Sequence, residues 1–178
     1  MTTSTRAQIL DSAVNLLRDG ETVSLESAAR SAGVSKPGLM YHFRTKQDLM
    51  TALVDHVIDG WEEGLERILG GEPATASPRE RIAAYLRWTL EVDADPSHLA
   101  MLADLRLRDA LVDRWTRRMA RWVTIPDDVE PGERTRLTAL RLLADGAWFA
   151  EAAHYFPLTS ADRDALRRLA AHWTEDAT

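Results

Sequence analysis

The stretch Ser24-Leu25-Glu26-Ser27-Ala28-Ala29-Arg30-Ser31-Ala32-Gly33-Val34-Ser35-Lys36-Pro37-Gly38-Leu39-Met40-Tyr41-His42-Phe43-Arg44-Thr45-Lys46 decides the fold. It reads as two short helices joined by a tight turn, with a third helix starting at once. Ser24 and Ser35 each stand where a side-chain oxygen can accept from an orphan amide of a helix start. Gly33 lies where the chain must leave the first helix, a place that favours a residue tolerant of positive φ. Pro37 falls in the first turn of the second helix, where its missing donor costs nothing. Ala28, Ala29 and Ala32 are small enough for two helices to cross closely, while Val34, Leu39 and Phe43 are expected to point inward. The outward side of the second helix, Ser35 to about His42, then carries hydroxyl, ammonium, phenol and imidazole groups with a glycine whose backbone can approach a phosphate. That set, on one short helix, is suited to reading DNA.

These residues resemble the tetracycline-repressor (TetR) family of bacterial regulators. The matching string runs from Ala28 to Leu49: Ala32-Gly33-Val34-Ser35, Lys36 to Gly38, Leu39 to Phe43, then Lys46 and Leu49. One departure is Pro37 before Gly38, where a glycine followed by a hydroxyl residue is more usual. The resemblance covers roughly the first 50 residues and implies a helix-turn-helix DNA-binding head over 1–50. A variable helical body over 51–178 is then expected to bind a small molecule and dimerise. The DNA contacts it implies are Ser35, Lys36, Pro37, Gly38, Tyr41, His42 and Lys46, with Ser24 and Thr22 as weaker candidates. Ser35, Lys36 and Gly38 stand at the amino end of the reading helix, where amides and the helix dipole favour phosphate. Tyr41 and His42 lie one turn on, and Lys46 is placed to clamp a flanking phosphate.

The overall charge is −6, which at first sight opposes DNA binding. Divided along the chain it does not. Residues 1–50 sum to +1 and the remainder to −7, and both lysines of the protein, Lys36 and Lys46, fall within the proposed reader. A local basic rim suffices for phosphate contact, while an acidic body repels the duplex and orients the head toward it. A chain of 178 residues buries about 70 % of its unfolded surface and needs no disulfide or metal to fold. The absence of cysteine excludes thiolate metal sites and fits a reducing cytoplasm, where the protein is expected. Neither a secretion signal nor a membrane-spanning run of apolar residues is legible.

Nearly every segment has helical periodicity, so an all-α protein of about nine helices is predicted. The first helix, Thr5 to Asp19, carries the stripe Ile9, Ala13, Leu16 and Leu17, and Gly20 ends it. Thr45 caps a long helix bearing Leu49, Leu53, Val57, Trp61, Leu65 and Leu69, which joins head to body. Ser77-Pro78-Arg79-Glu80 has capping-box order and opens a helix to about Val92. Asp95-Pro96 repeats the start signal, with helical pattern to Val123 that divides near Leu107 to Asp109. The last two helices are expected over Pro131 to Tyr155 and Thr159 to Trp173. Their apolar faces, Leu137, Leu140, Ala144 and Trp148 with Leu166, Leu169 and Trp173, are expected to pair with a second copy as a four-helix bundle.

Six tryptophans stand out in the body. Trp61, Trp88, Trp115 and Trp148, with Tyr85, Met101 and Met119, are expected to line a cavity for a flat or lipophilic effector, and His98 and Asp104 are possible polar fixers. The competing class is an enzyme. Glu151-Ala152-Ala153-His154 has the Glu-x-x-His spacing of carboxylate-bridged metal bundles, but a working centre needs a second copy, and the sequence has none. No Gly-x-Ser-x-Gly, Walker or dinucleotide fingerprint is present, and no cofactor is expected. The reading is therefore a ligand-responsive repressor that binds an inverted-repeat operator as a homodimer.

Overall fold

The computed structural model describes residues 5–101 and 104–175, with side chains as far as residue 172. The described residues form nine α-helices, one 3-10 turn and no strand. The helices are α1 (Thr5–Arg18), α2 (Leu25–Ser31), α3 (Lys36–His42), α4 (Lys46–Leu69), α5 (Pro78–Glu91), α6 (Ser97–Met101), α7 (Arg108–Val123), α8 (Pro131–Ala152) and α9 (Ser160–Glu175). The 3-10 turn, Pro73–Thr75, follows α4.

Local chemistry explains most of the boundaries. Four helices open with a reciprocal cap, in which residues three apart satisfy each other's orphan amides. The pairs are Ser24 with Ser27 before α2, Thr45 with Asp48 before α4, Ser77 with Glu80 before α5, and Thr159 with Asp162 before α9. The exit from α2 turns on Gly33, whose φ is +68°. With the chain in this left-handed state, the Val34 amide donates to the Ala29 carbonyl at 3.0 Å and the Gly33 amide to that of Arg30 at 3.2 Å, which closes the helix end.

The chain forms two compact units. The first comprises Met1–Asp59 and Asp95–Thr116, the second Gly60–Ala94 and Arg117–Thr178, so α4 and α7 each contribute to both. In the first unit α1 packs on α2 and α6, and α2 packs on α3. Its core is built from Ile9, Leu10 and Ala13 of α1, Ala28 of α2, Leu39 of α3, Phe43, and Leu49, Leu53 and Ile58 of α4. Apolar residues of α1 recur at the spacing of one helical face, which is why this helix can cover the α2–α3 pair. In the second unit α5 packs on α8 and α9. Ile82, Leu86 and Leu90 of α5 are buried there with Leu137, Leu140 and Ala144 of α8, and with Trp122.

One boundary differs from the sequence pattern. The helix expected to reach Tyr155 stops at Ala152. His154 and Phe156 take φ values of +50° and +51°, a backbone state that non-glycine residues rarely adopt. The break is held by the Glu151 carboxylate, which accepts from the Leu158 amide at 2.8 Å and pairs with Arg163 at 2.8 Å.

Candidate nucleic-acid interface

Helix α3 presents two chemically distinct sides. Leu39 is fully buried, and Phe43, the residue that ends the helix, is 2 % exposed. Ser35, Lys36, Pro37, Gly38 and Tyr41 are all exposed, Tyr41 to 86 %. A phenol left this open is unusual, because burying its ring would gain hydrophobic free energy. His42 is half-buried, its ring edge-on to Tyr41 at 5.2 Å. The start of the helix is held by Ser35, whose hydroxyl accepts from the Gly38 amide at 3.2 Å. A Cβ on Gly38 would meet only that hydroxyl, at 3.1 Å, so the backbone is open to an approaching group from outside.

The supports of this helix are in place. Ser24 and Ser27 exchange bonds at 2.9 and 3.0 Å, so Ser24 is occupied as a cap. Thr22 is exposed, and its carbonyl accepts from the Ser27 hydroxyl at 3.0 Å. From α1, the Arg6 guanidinium lies over the Phe43 ring at 5.2 Å, which places a cation beside the end of α3. Two exposed groups escaped the sequence reading. Met40 offers an apolar contact on the outer side of α3, and Arg44 adds a cation in the turn that follows. Charge in a connecting loop was the only signal for Arg44.

Both lysines have acidic partners. Lys36 is bonded to Glu26 of α2. Lys46, in the first turn of α4, donates to the Asp104 carboxylate at 2.6 Å. The hydrogen bonds from Lys36 and Lys46 hold the Glu26 and Asp104 carboxyls below the usual carboxylate range, helped by a backbone amide in each case. Asp104, considered as a polar fixer of a ligand, is thus engaged with the head. His98 is largely buried, and that burial pushes its imidazole down to about 4, against the opposing pull of nearby Asp95. Burial alone would raise the Asp95 carboxyl, but hydrogen bonds from Arg18 and Ser97 outweigh it and keep it ionised.

The residues expected to form an effector cavity divide between the two units. Met101 and Trp115 belong to the first; Trp61, Tyr85, Trp88, Met119 and Trp148 belong to the second. Within the second unit the Trp61 ring lies tilted against Trp88, with centroids 4.5 Å apart, and edge-on to Trp148 at 5.5 Å. The Tyr85 hydroxyl donates to Asp145 at 3.0 Å, and burial, followed by the Asp145 charge, keeps the phenol protonated.

The residues expected at a dimer seam are also divided. Leu137, Leu140 and Ala144 are at most 1 % exposed, because their side of α8 faces this chain's own core. Trp148 and Leu166 are half-buried, Leu169 is 39 % exposed, and the Trp173 side chain lies outside the described residues. What α8 leaves outside is a different stripe: Leu142 and Phe149, 55 % and 50 % exposed, with the exposed Gly146 between them. Glu151 and His154 do not form a ligand pair on one helical face. Glu151 is held by Arg163 and the Leu158 amide, and His154 lies beyond the end of α8.

A short helix with a buried apolar side and an exposed polar side, held by two others and followed by a helical body, defines a helix-turn-helix DNA-binding regulator. The family model for bacterial regulatory proteins of the tetR family matches residues 9–53, and that for the tetracyclin repressor-like C-terminal domain matches residues 79–175, more than half of the chain. The chain belongs to the TetR family, whose members are ligand-responsive DNA-binding regulators. Among solved structures, one described as a TetR-family transcriptional regulator from Rhodococcus sp. superposes with a TM-score of 0.66 at 18 % identity, covering 97 % of this chain and 98 % of that one. The transcriptional regulator FadR from Bacillus subtilis, in complex with stearoyl-CoA, gives 0.61 at 16 % identity over 97 % and 98 % of the two chains. The multidrug binding protein EbrR, complexed with imidazole, gives 0.55 at 21 % identity over 97 % and 96 %. At these identities the likeness concerns the fold. No curated protein sequence matches the chain.

Proposed function

We propose that the protein is a homodimeric repressor that binds an inverted-repeat operator and is released by a small apolar or aromatic effector. The observation that carries this reading is the outer side of α3, where Ser35, Lys36, Gly38 and the almost fully exposed Tyr41 surround an open stretch of backbone. In a dimer, two such helices would enter successive major grooves about 34 Å apart, or a multiple of that. Lys36, Arg44 and Lys46 supply phosphate contacts, and Tyr41, His42 and Met40 face the base edges. Pairing is proposed through the outer sides of α8 and α9, where Leu142, Phe149 and Leu169 leave apolar surface exposed.

The effector is proposed to bind in the body, against the cluster of Trp61, Trp88 and Trp148 with Tyr85 and Met119. Clustered aromatic side chains give an apolar, polarisable surface suited to a flat or lipophilic group. The ligand lowers DNA affinity by favouring a head spacing that does not match the operator.

Genomic-fragment selection with the purified protein, followed by footprinting, tests the reading and identifies the operator. A protected inverted repeat is expected. On that site Lys46→Ala weakens binding to all sequences and lowers the salt slope by about one unit, whereas Tyr41→Ala also blurs sequence preference. Unchanged isotherms for both variants overturn the assignment of α3 as the reader.

A further inference from the structure

The two lysines are the protein's only ammonium side chains, and both are spent on carboxylates of the same chain. For Lys36 the partner is a neighbour within the reading unit, on α2. For Lys46 it is remote: Asp104 lies 58 positions on, in the turn between α6 and α7. Asp104 is built into that turn. Its carbonyl accepts from the Leu107 and Arg108 amides at 3.0 and 2.8 Å, and its Oδ1 from the Arg106 amide at 3.1 Å. Only Oδ2 turns to Lys46, at 2.6 Å.

A carboxylate oxygen on an ammonium group at this distance occupies the place that a phosphate oxygen would take. We infer that Asp104 is an intramolecular competitor for the DNA backbone: it holds Lys46 in the free protein, and the pair must open before Lys46 can clamp a duplex. This rests on the reading of Lys46 as a phosphate contact.

Two features make the pair a switch and not a fixture. Both side chains retain solvent access, 39 % for Lys46 and 25 % for Asp104, so the pair is weak enough for a phosphate to replace it. Both also border an open pocket of about 340 Å³ on the first unit, whose other lining residues include Leu17, Glu21, Thr22, Val23, Met50 and Ala100. The Lys46 chain therefore has space to swing in, and opening the pair needs no repacking of the core. Because Asp104 is fixed to the turn that leads into α7, the position of that turn decides whether Lys46 is available. The contact of Lys46 with Asp104 and its contact with a phosphate are mutually exclusive.

The test is a double-mutant cycle, read by fluorescence anisotropy on a short mixed-sequence duplex across a series of salt concentrations. Asp104→Asn retains an oxygen for the Arg106 amide but presents no anion to Lys46, and Asp104→Ser does the same with a hydroxyl. Each is expected to tighten binding about two- to fivefold, the range that releasing a partly exposed ion pair allows. In the Lys46→Ala background neither should have any effect. If Asp104→Asn and Asp104→Ser leave affinity unchanged while Lys46→Ala weakens it, the competitor is overturned and the phosphate contact stands. If the tightening persists without Lys46, it is a general loss of negative charge, and the competitor is again overturned. If Lys46→Ala itself has no effect, the underlying phosphate contact fails. Circular dichroism of each variant verifies that the helices are retained.

Discussion

At the scale of single residues, the structure makes sharp demands where side chains touch across helices. Gly64 of α4 is one. A Cβ there would lie 2.4 Å from Nε1 and 2.9 Å from Cδ1 of Trp88, which is itself buried against Trp61. Alanine ordinarily improves a helix by up to about 1 kcal/mol over glycine, but forcing the indole aside costs about 1–3 kcal/mol. Gly64→Ala is therefore expected to lower stability in urea unfolding and to change the near-ultraviolet dichroism of the tryptophans. His98 makes a second demand. Its imidazole titrates near 4 in the fold, below the ordinary 6.5, because burial disfavours the cation. The unfolded chain therefore binds this proton first as pH falls. Stability from the neutral ring is complete above about pH 6.5 and declines toward pH 4, by up to roughly 3 kcal/mol. A melting series between neutral and mildly acidic pH should show this decline, and His98→Gln should flatten it.

Among the elements, what could be read from the sequence separates from what could not according to the range of the interactions. The caps at Ser24, Ser35, Thr45, Ser77 and Thr159 each involve an amide three positions on, so the residue and its spacing announce them. Gly33 was legible for the same reason. The partner of Lys46 was not: many acids follow it, and only the fold brings Asp104 to it. The two sides of α8 could not be told apart for a different reason. Leu137, Leu140 and Ala144 run along one side, Leu142 and Phe149 along another, and the helix is apolar over so much of its surface that periodicity alone does not reveal which stripe the chain keeps for itself. The tryptophans posed the same difficulty, since Trp61 and Trp115 occur in similar amphipathic patterns but belong to different compact units. The end of α8 was missed because Glu151 is satisfied from beyond the helix, by Leu158 and Arg163.

For the molecule as a whole, the exposed stripe on α8 sets the expected state in solution. Phe149→Glu places a charge in the middle of the proposed seam, where it would have to be buried unpaired in a dimer. Sedimentation should show this variant as a monomer while its helical content is unchanged, and its affinity for an inverted repeat should fall toward that of a single head. A variant that remains dimeric would show that the chains pair elsewhere. The charge distribution has a practical consequence of its own. With only two side-chain amines, both in the first 46 residues, an amine-reactive dye labels the DNA-reading end and leaves the acidic remainder unmarked. An ammonium group clasped by a carboxylate also reacts more slowly than a free one, so the rate of acylation at Lys46 becomes a clock for how often that clasp opens.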